Sequence, residues 1–179
     1  MLKVEDTVLV VVDVQEKLAR AMCDKEAIAE NTVKLVKGAK ILEVPVVWTE
    51  QNPQGLGSTL PQVSELLTDT KPVTKLSFSC CGEPAFMNEL EALKRKQILI
   101  CGIEAHVCVY QTAADLVCRG YEVQVVTDAV SSRTSDNKAV GLEKSKACGA
   151  SLTSTETALF ELLKVADGDK FKQMLKVVK

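Results

Sequence analysis

The chain has 179 residues, 46% hydrophobic and 26% charged, a size and balance that support one folded domain with a real core and exclude a disordered chain. Lys and Arg number 22 against 24 Asp and Glu, so a net charge of −2 points away from nucleic acid and from anionic membranes as partners. No apolar run approaches the length of a membrane span, and the start Met1-Leu2-Lys3-Val4-Glu5-Asp6 lacks the pattern of a secretion signal, so a cytoplasmic location is expected.

Apolar, β-branched runs alternate with helical patterns along the whole length. Residues 8–12 are an unbroken apolar run, as expected of a strand buried on both faces. A helix is predicted over 26–42 and a second strand over 45–49. Turn formers crowd 50–58, which reads as a long loop, and a short third strand is predicted near 71–76. A helix over 83–94, a fourth strand over 97–101 and a helix over 108–118 follow. Strand five spans 122–127, then a helix over 135–148, a short strand over 151–153 and a helix over 155–164. The end, 170–179, reads as a terminal helix with Phe171, Met174, Leu175 and Val178 at helical spacing, suited to packing on the same chain or on a partner. This alternation predicts a single domain over 1–179, a three-layer α/β/α sandwich around a mostly parallel, doubly wound sheet of six strands.

In such sheets ligands collect at the carboxyl ends of the strands, where strand order reverses. Asp13 ends the first strand, Lys75 ends the third, and Cys108 opens the helix after the fourth. Read alone, Asp13 equally suits capping the helix that begins near Gln15, and Lys75 suits an edge lysine whose ammonium reaches water. Cys108 equally suits a small apolar residue packed under its helix. Together they form a carboxylate to accept a proton, an ammonium to orient it, and a thiol to attack. A thiol at a helix start faces free N–H groups and the positive end of the helix dipole, which favours a thiolate. The other six cysteines are scattered without a Cys-x-x-Cys pair, and one histidine, His106, is present, so zinc-finger spacing is absent.

Val11-Val12-Asp13-Val14-Gln15, then Lys75, then Gly102-Ile103-Glu104-Ala105-His106-Val107-Cys108-Val109 with Thr112-Ala113 resemble the isochorismatase-like cysteine hydrolases. The likeness extends over nearly the whole chain. Residues 50–57, 128–133 and 152–156 resemble the small isochorismatase-domain-containing branch. The resemblance implies that Asp13 is the general base and acid, Lys75 the orienting cation and Cys108 the nucleophile. It also implies a cis peptide at Ile103–Glu104 that aims the N–H of Glu104, with that of Cys108, at a developing oxyanion. The implied reaction is hydrolysis of an amide-type C–N bond in a small molecule through a thioester acyl-enzyme.

Nicotinamidases of this family hold a metal through an Asp-x-His element after strand two. Thr49-Glu50-Gln51 stands there in this chain, so neither a metal nor another cofactor is expected. Gln15, Gln51, Phe78, Glu104 and Thr112 are the candidate substrate-binding residues. Trp48 and Tyr110 are weaker candidates for the cleft, and Cys80 and Cys81 for a turn beside Lys75. The runner-up readings are an isochorismatase-type vinyl ether hydrolase, which needs no nucleophilic cysteine, a redox thiol protein, and a binding or scaffold protein on the same fold. The family's habit of symmetric assembly implies a homo-oligomer.

Overall fold

Six strands assemble into one parallel sheet in the computed structural model, which describes residues 1–179. The strands are β1 (Thr7–Val12), β2 (Val46–Gln51), β3 (Val73–Lys75), β4 (Gln97–Ile103), β5 (Glu122–Ser131) and β6 (Ser151–Thr153). Their order is β3-β2-β1-β4-β5-β6, and every neighbouring pair runs parallel. All six residues of β1 are buried, as a central strand covered on both faces requires.

The helices are α1 (Glu16–Arg20), α2 (Lys25–Leu42), α3 (Pro53–Leu56), α4 (Pro61–Ser64), α5 (Pro84–Ala92), α6 (Tyr110–Cys118), α7 (Ser135–Ala147), α8 (Thr155–Leu163) and α9 (Gly168–Val178). Alternation along β1 decides which helices each face receives. Leu9 and Val11 pack with Leu35 and Val36 of α2, Leu159 and Leu162 of α8, and Met174 of α9. Val8, Val10 and Val12 face the other way, against Phe86 and Leu90 of α5 and Ala113 and Leu116 of α6. The result is the expected α/β/α sandwich. α9 packs on α2 and α8 of its own chain. No helix is long and apolar enough to cross a membrane.

Three local differences from the sequence expectation bear on the site. β5 runs on to Ser131, because after a bulge Val130 and Ser131 pair with Gly102 and Ile103 of β4. Polar Thr127 and Asp128 hide that continuation from a hydrophobicity reading. The 50–58 region is not all loop: β2 extends to Gln51, and α3 adds one turn opened by Pro53. Cys108 lies inside a π turn, Ala105–Val109, one turn before α6 rather than at the start of the α-helix.

The chain leaves β1 toward β2 and β3, then returns to β4 on the other side of β1, so strand order reverses between β1 and β4. Parallel register sets Val12 beside both Thr49 and Gly102, and Gln51 beside Lys75. Gly102 makes the close approach feasible: with φ at 126°, a Cβ there would stand 2.0 Å from the Val12 carbonyl oxygen. The carboxyl ends of four strands therefore converge on one small region.

Candidate active site

Asp13 leaves β1 with φ at 51°, a left-handed conformation that Asp tolerates better than β-branched residues do. Its carboxylate is wholly buried and held at both oxygens. Oδ1 accepts the Thr49 hydroxyl at 2.7 Å, and Oδ2 accepts the Lys75 ammonium at 2.6 Å. Lys75, at 0% side-chain exposure, also donates to Gln51 Oε1 at 2.8 Å and to the carbonyls of Phe78 and Ser77 at 3.1 and 3.2 Å. Four acceptors more than match the three hydrogens of the ammonium. Burial works against the Lys75 charge, but the charge and hydrogen bond of Asp13 favour it, and the net effect raises its pKa. The reading of Lys75 as an edge lysine reaching water is thereby replaced by a buried ion pair with Asp13.

The π turn presents Cys108 to this pair. The Glu104 carbonyl accepts the N–H of Val107 at 3.0 Å and of Val109 at 3.2 Å, passing over the N–H of Cys108 between them. The Glu104 N–H has no acceptor in the chain, and the Ile103–Glu104 peptide is cis. Gly141 of α7 supports the turn from behind, where a Cβ would come within 2.5 Å of the Ala105 carbonyl. Burial and the Asp13 carboxylate push the Cys108 thiol up to about 12, with Lys75 opposing. The resting group is a thiol, not the thiolate expected from the helix dipole: desolvation outweighs the dipole at this depth.

A cavity of about 100 Å³ opens above Cys108. Leu18, Leu56, Phe78 and Val107 give it apolar walls, while Gln51 and Glu104 bring polar groups to it. Of the five sequence candidates for substrate contact, these walls include Gln51, Phe78 and Glu104 but neither Gln15 nor Thr112. Gln15 is fully buried and brackets backbone, donating to Gly57 O and Gln51 O and accepting from Gln51 N. Thr112, also at 0% exposure, accepts the Cys80 N–H at 3.0 Å and so fixes the turn beside Lys75. Trp48 donates to the hydroxyl of exposed Thr70, Tyr110 lies under the Lys144 ammonium, and His106 Nδ1 pairs with Ser132 Oγ at 3.0 Å.

Sequence reasoning missed several partners. Thr49 was hidden because one threonine in a strand carries no signal, and Arg133 because its role needs the β5 extension. Arg133 donates its backbone N–H and Nε to Glu104 Oε2, the latter at 3.1 Å. Glu50 spends its buried carboxylate on the N–H and hydroxyl of Thr59, bolting the loop that carries Leu56. No group of three or more His, Cys, Asp or Glu side chains is placed to hold a metal ion. A larger groove, about 640 Å³, lies near Val44 and Arg95 and contains no thiol.

Comparison with known proteins identifies the family. The isochorismatase domain family matches residues 7–157. The secreted isochorismatase effector Isc1 of Phytophthora sojae is 42% identical over 97% of this chain and 84% of its own. Human isochorismatase domain-containing protein 2 is 37% identical over 97% of this chain and 83% of its own. A solved structure of the MAR1 ribonuclease of Caenorhabditis elegans superposes with a TM-score of 0.93 at 37% identity, over 99% of this chain and 91% of that one. The match begins at the first residue of β1 and ends within α8, so it takes in Asp13, Lys75 and Cys108: the chain belongs to the isochorismatase-domain family of hydrolases.

Proposed function

We propose that the chain is a cysteine-dependent hydrolase of amide-type C–N bonds in a small molecule, acting through a thioester acyl-enzyme with Asp13, Lys75 and Cys108. The observation that carries the reading is the Cys108 thiol at the cavity wall beside a buried Asp13 carboxylate that Lys75 and Thr49 hold at both oxygens. Because burial keeps the thiol neutral, its proton passes to Asp13 as Sγ bonds to the carbonyl carbon, not beforehand. The carbonyl π electrons move to oxygen, which the N–H groups of Glu104 and Cys108 receive. Collapse of the tetrahedral species breaks the C–N bond, and the departing nitrogen takes the proton from Asp13. Water then attacks the thioester, giving its proton to Asp13. The C–S bond breaks, the acid leaves, and the proton returns to Cys108. Lys75 keeps the Asp13 carboxyl group aimed throughout.

The test is an ammonia-release screen over small amides, ureas and carbamoyl compounds, with Cys108→Ala and Asp13→Asn in parallel. Turnover is expected to fall by about 10³-fold or more in Cys108→Ala and by roughly 10²–10⁴-fold in Asp13→Asn. Vinyl-ether hydrolysis of the isochorismatase type uses a proton donor but no nucleophile, so turnover of such a substrate surviving in Cys108→Ala would replace the amide reading. Silence across the panel would leave a binding protein on a hydrolase scaffold. RNA belongs in the panel as a control, because a cavity of about 100 Å³ is too small to take a nucleotide.

A further inference from the structure

The cavity over Cys108 has few uncommitted polar atoms, and they differ in sign. Each end of the Gln51 amide holds a partner, Oε1 the Lys75 ammonium and Nε2 the Leu76 carbonyl, which leaves one Nε2 hydrogen over. The Lys75 ammonium is enclosed by its four acceptors and has no exposed side-chain surface. Arg133 holds Glu104 through Oε2 with both its backbone N–H and Nε. Glu104 Oε1 has no partner in the chain, although the side chain is 13% exposed and lines the cavity. What remains is one carboxylate acceptor, the N–H of Glu104, one Nε2 hydrogen of Gln51, the Cys108 N–H that the Glu104 carbonyl passes over, and four apolar walls.

We infer that this site selects a neutral primary amide with a short apolar acyl chain, and that Glu104, locked by Arg133, is the residue that discriminates by accepting the amide NH₂ and repelling carboxylates. This inference rests on the C–N hydrolase reading and names its substrate class. A primary amide offers the complement of the uncommitted atoms: a carbonyl acceptor for the backbone N–H groups and, on the same carbon, a donor for Oε1. An ester has no donor to offer, and a carboxylate meets a like charge with no free cation inside the cavity to offset it. Leu18, Leu56, Phe78 and Val107 receive the acyl chain, and the small volume limits its length. Arg133 acts as a positioning residue, since its contact at Oε2 leaves Oε1 as the oxygen available to a ligand.

The experiment measures binding apart from turnover. Cys108→Ala protein is titrated with propionamide, methyl propionate and propionate by ligand-observed NMR, alone and combined with Glu104→Gln or Arg133→Ala. Propionamide is expected to bind at least about tenfold more tightly than propionate, a preference that shrinks to roughly twofold or less in Glu104→Gln. Arg133→Ala is expected to weaken propionamide several-fold without admitting propionate. An unchanged preference in Glu104→Gln overturns the inference, as does propionate binding that Arg133→Ala abolishes, or no binding of any of the three. Ammonia release by the wild-type protein is scored separately. Amide turnover without a Glu104-dependent preference leaves the hydrolase reading standing and removes this inference. Glu104-dependent preference without turnover does the reverse.

Discussion

Cys108 is governed by two opposed forces, and depth decides between them. The turn that carries it offers an N–H that the Glu104 carbonyl passes over and the start of a helix, both favourable to a thiolate. Burial and the Asp13 charge act more strongly and push the group up to about 12, against the pull of Lys75. A neutral resting thiol is therefore expected to react slowly with a general alkylating agent. At about pH 7.5, iodoacetamide should label exposed Cys23 and Cys118 before Cys108, followed by peptide mass spectrometry. Asp13→Asn removes a charge that raises the thiol while Lys75 stays, so Cys108 labelling should accelerate even as turnover is lost. Cys108 outpacing both exposed thiols in the unmodified protein would contradict the buried-thiol state. Asp13, Lys75 and Cys108 could be found in the sequence because each is a reactive residue placed where an apolar run ends. Thr49, the backbone-bracketing role of Gln15 and the protonation state could not, since they depend on which side chains meet across strands and how deeply.

The element that matters most is the π turn Ala105–Val109, and it was the least legible. Strands β1 and β4 announce themselves as apolar runs, but nothing local distinguishes a π turn from the first turn of α6; its extra residue is held in place by packing from a distant helix. Gly141 of α7 provides that packing by letting its backbone lie against Ala105 and His106. The neighbours a Cβ would meet there are backbone atoms 2.5–2.6 Å away, which cannot swing aside as a side chain does. Gly141→Ala should therefore cost about 1–3 kcal/mol of stability and displace Cys108 from Asp13, lowering turnover beyond the loss of folded protein. Gly38→Ala is the matched comparison in α2, because the atoms it meets belong to the Leu159 side chain, with the nearest 2.4 Å away. Urea unfolding together with turnover per folded molecule separates the two variants. Equal effects would mean that the α7 contact does not hold the nucleophile turn in place.

At the scale of the molecule, the sheet was readable because alternating strands and helices with apolar central strands allow few topologies, and the order reversal between β1 and β4 follows from them. Invisible from composition is how many thiols the sandwich encloses. Cys80 and Cys101 are fully buried, and desolvation raises both from an ordinary 9.0 to about 12, with Asp13 adding to the effect at Cys80. Burial raises Cys81 as well, and the buried ion pair raises Lys75. All these shifts act in one direction. Between the unfolded and folded values, an unfolded thiol has released a proton that the folded thiol still holds, so rising pH favours unfolding. The stability these groups contribute is complete below 9.0 and is lost as pH climbs toward about 12. Each thiol contributes a slope of up to about 1.4 kcal/mol per pH unit within that window. The urea midpoint, measured under reducing conditions, should be nearly level from about pH 7 to 8.5 and fall steeply above about 9. Cys101→Ala should begin from a lower midpoint, because it opens a void in the core, yet decline more gently because one titrating group is gone. Parallel declines in the two proteins would show that Cys101 ionises alike in both states, and that the thiols are not the cause of alkaline unfolding.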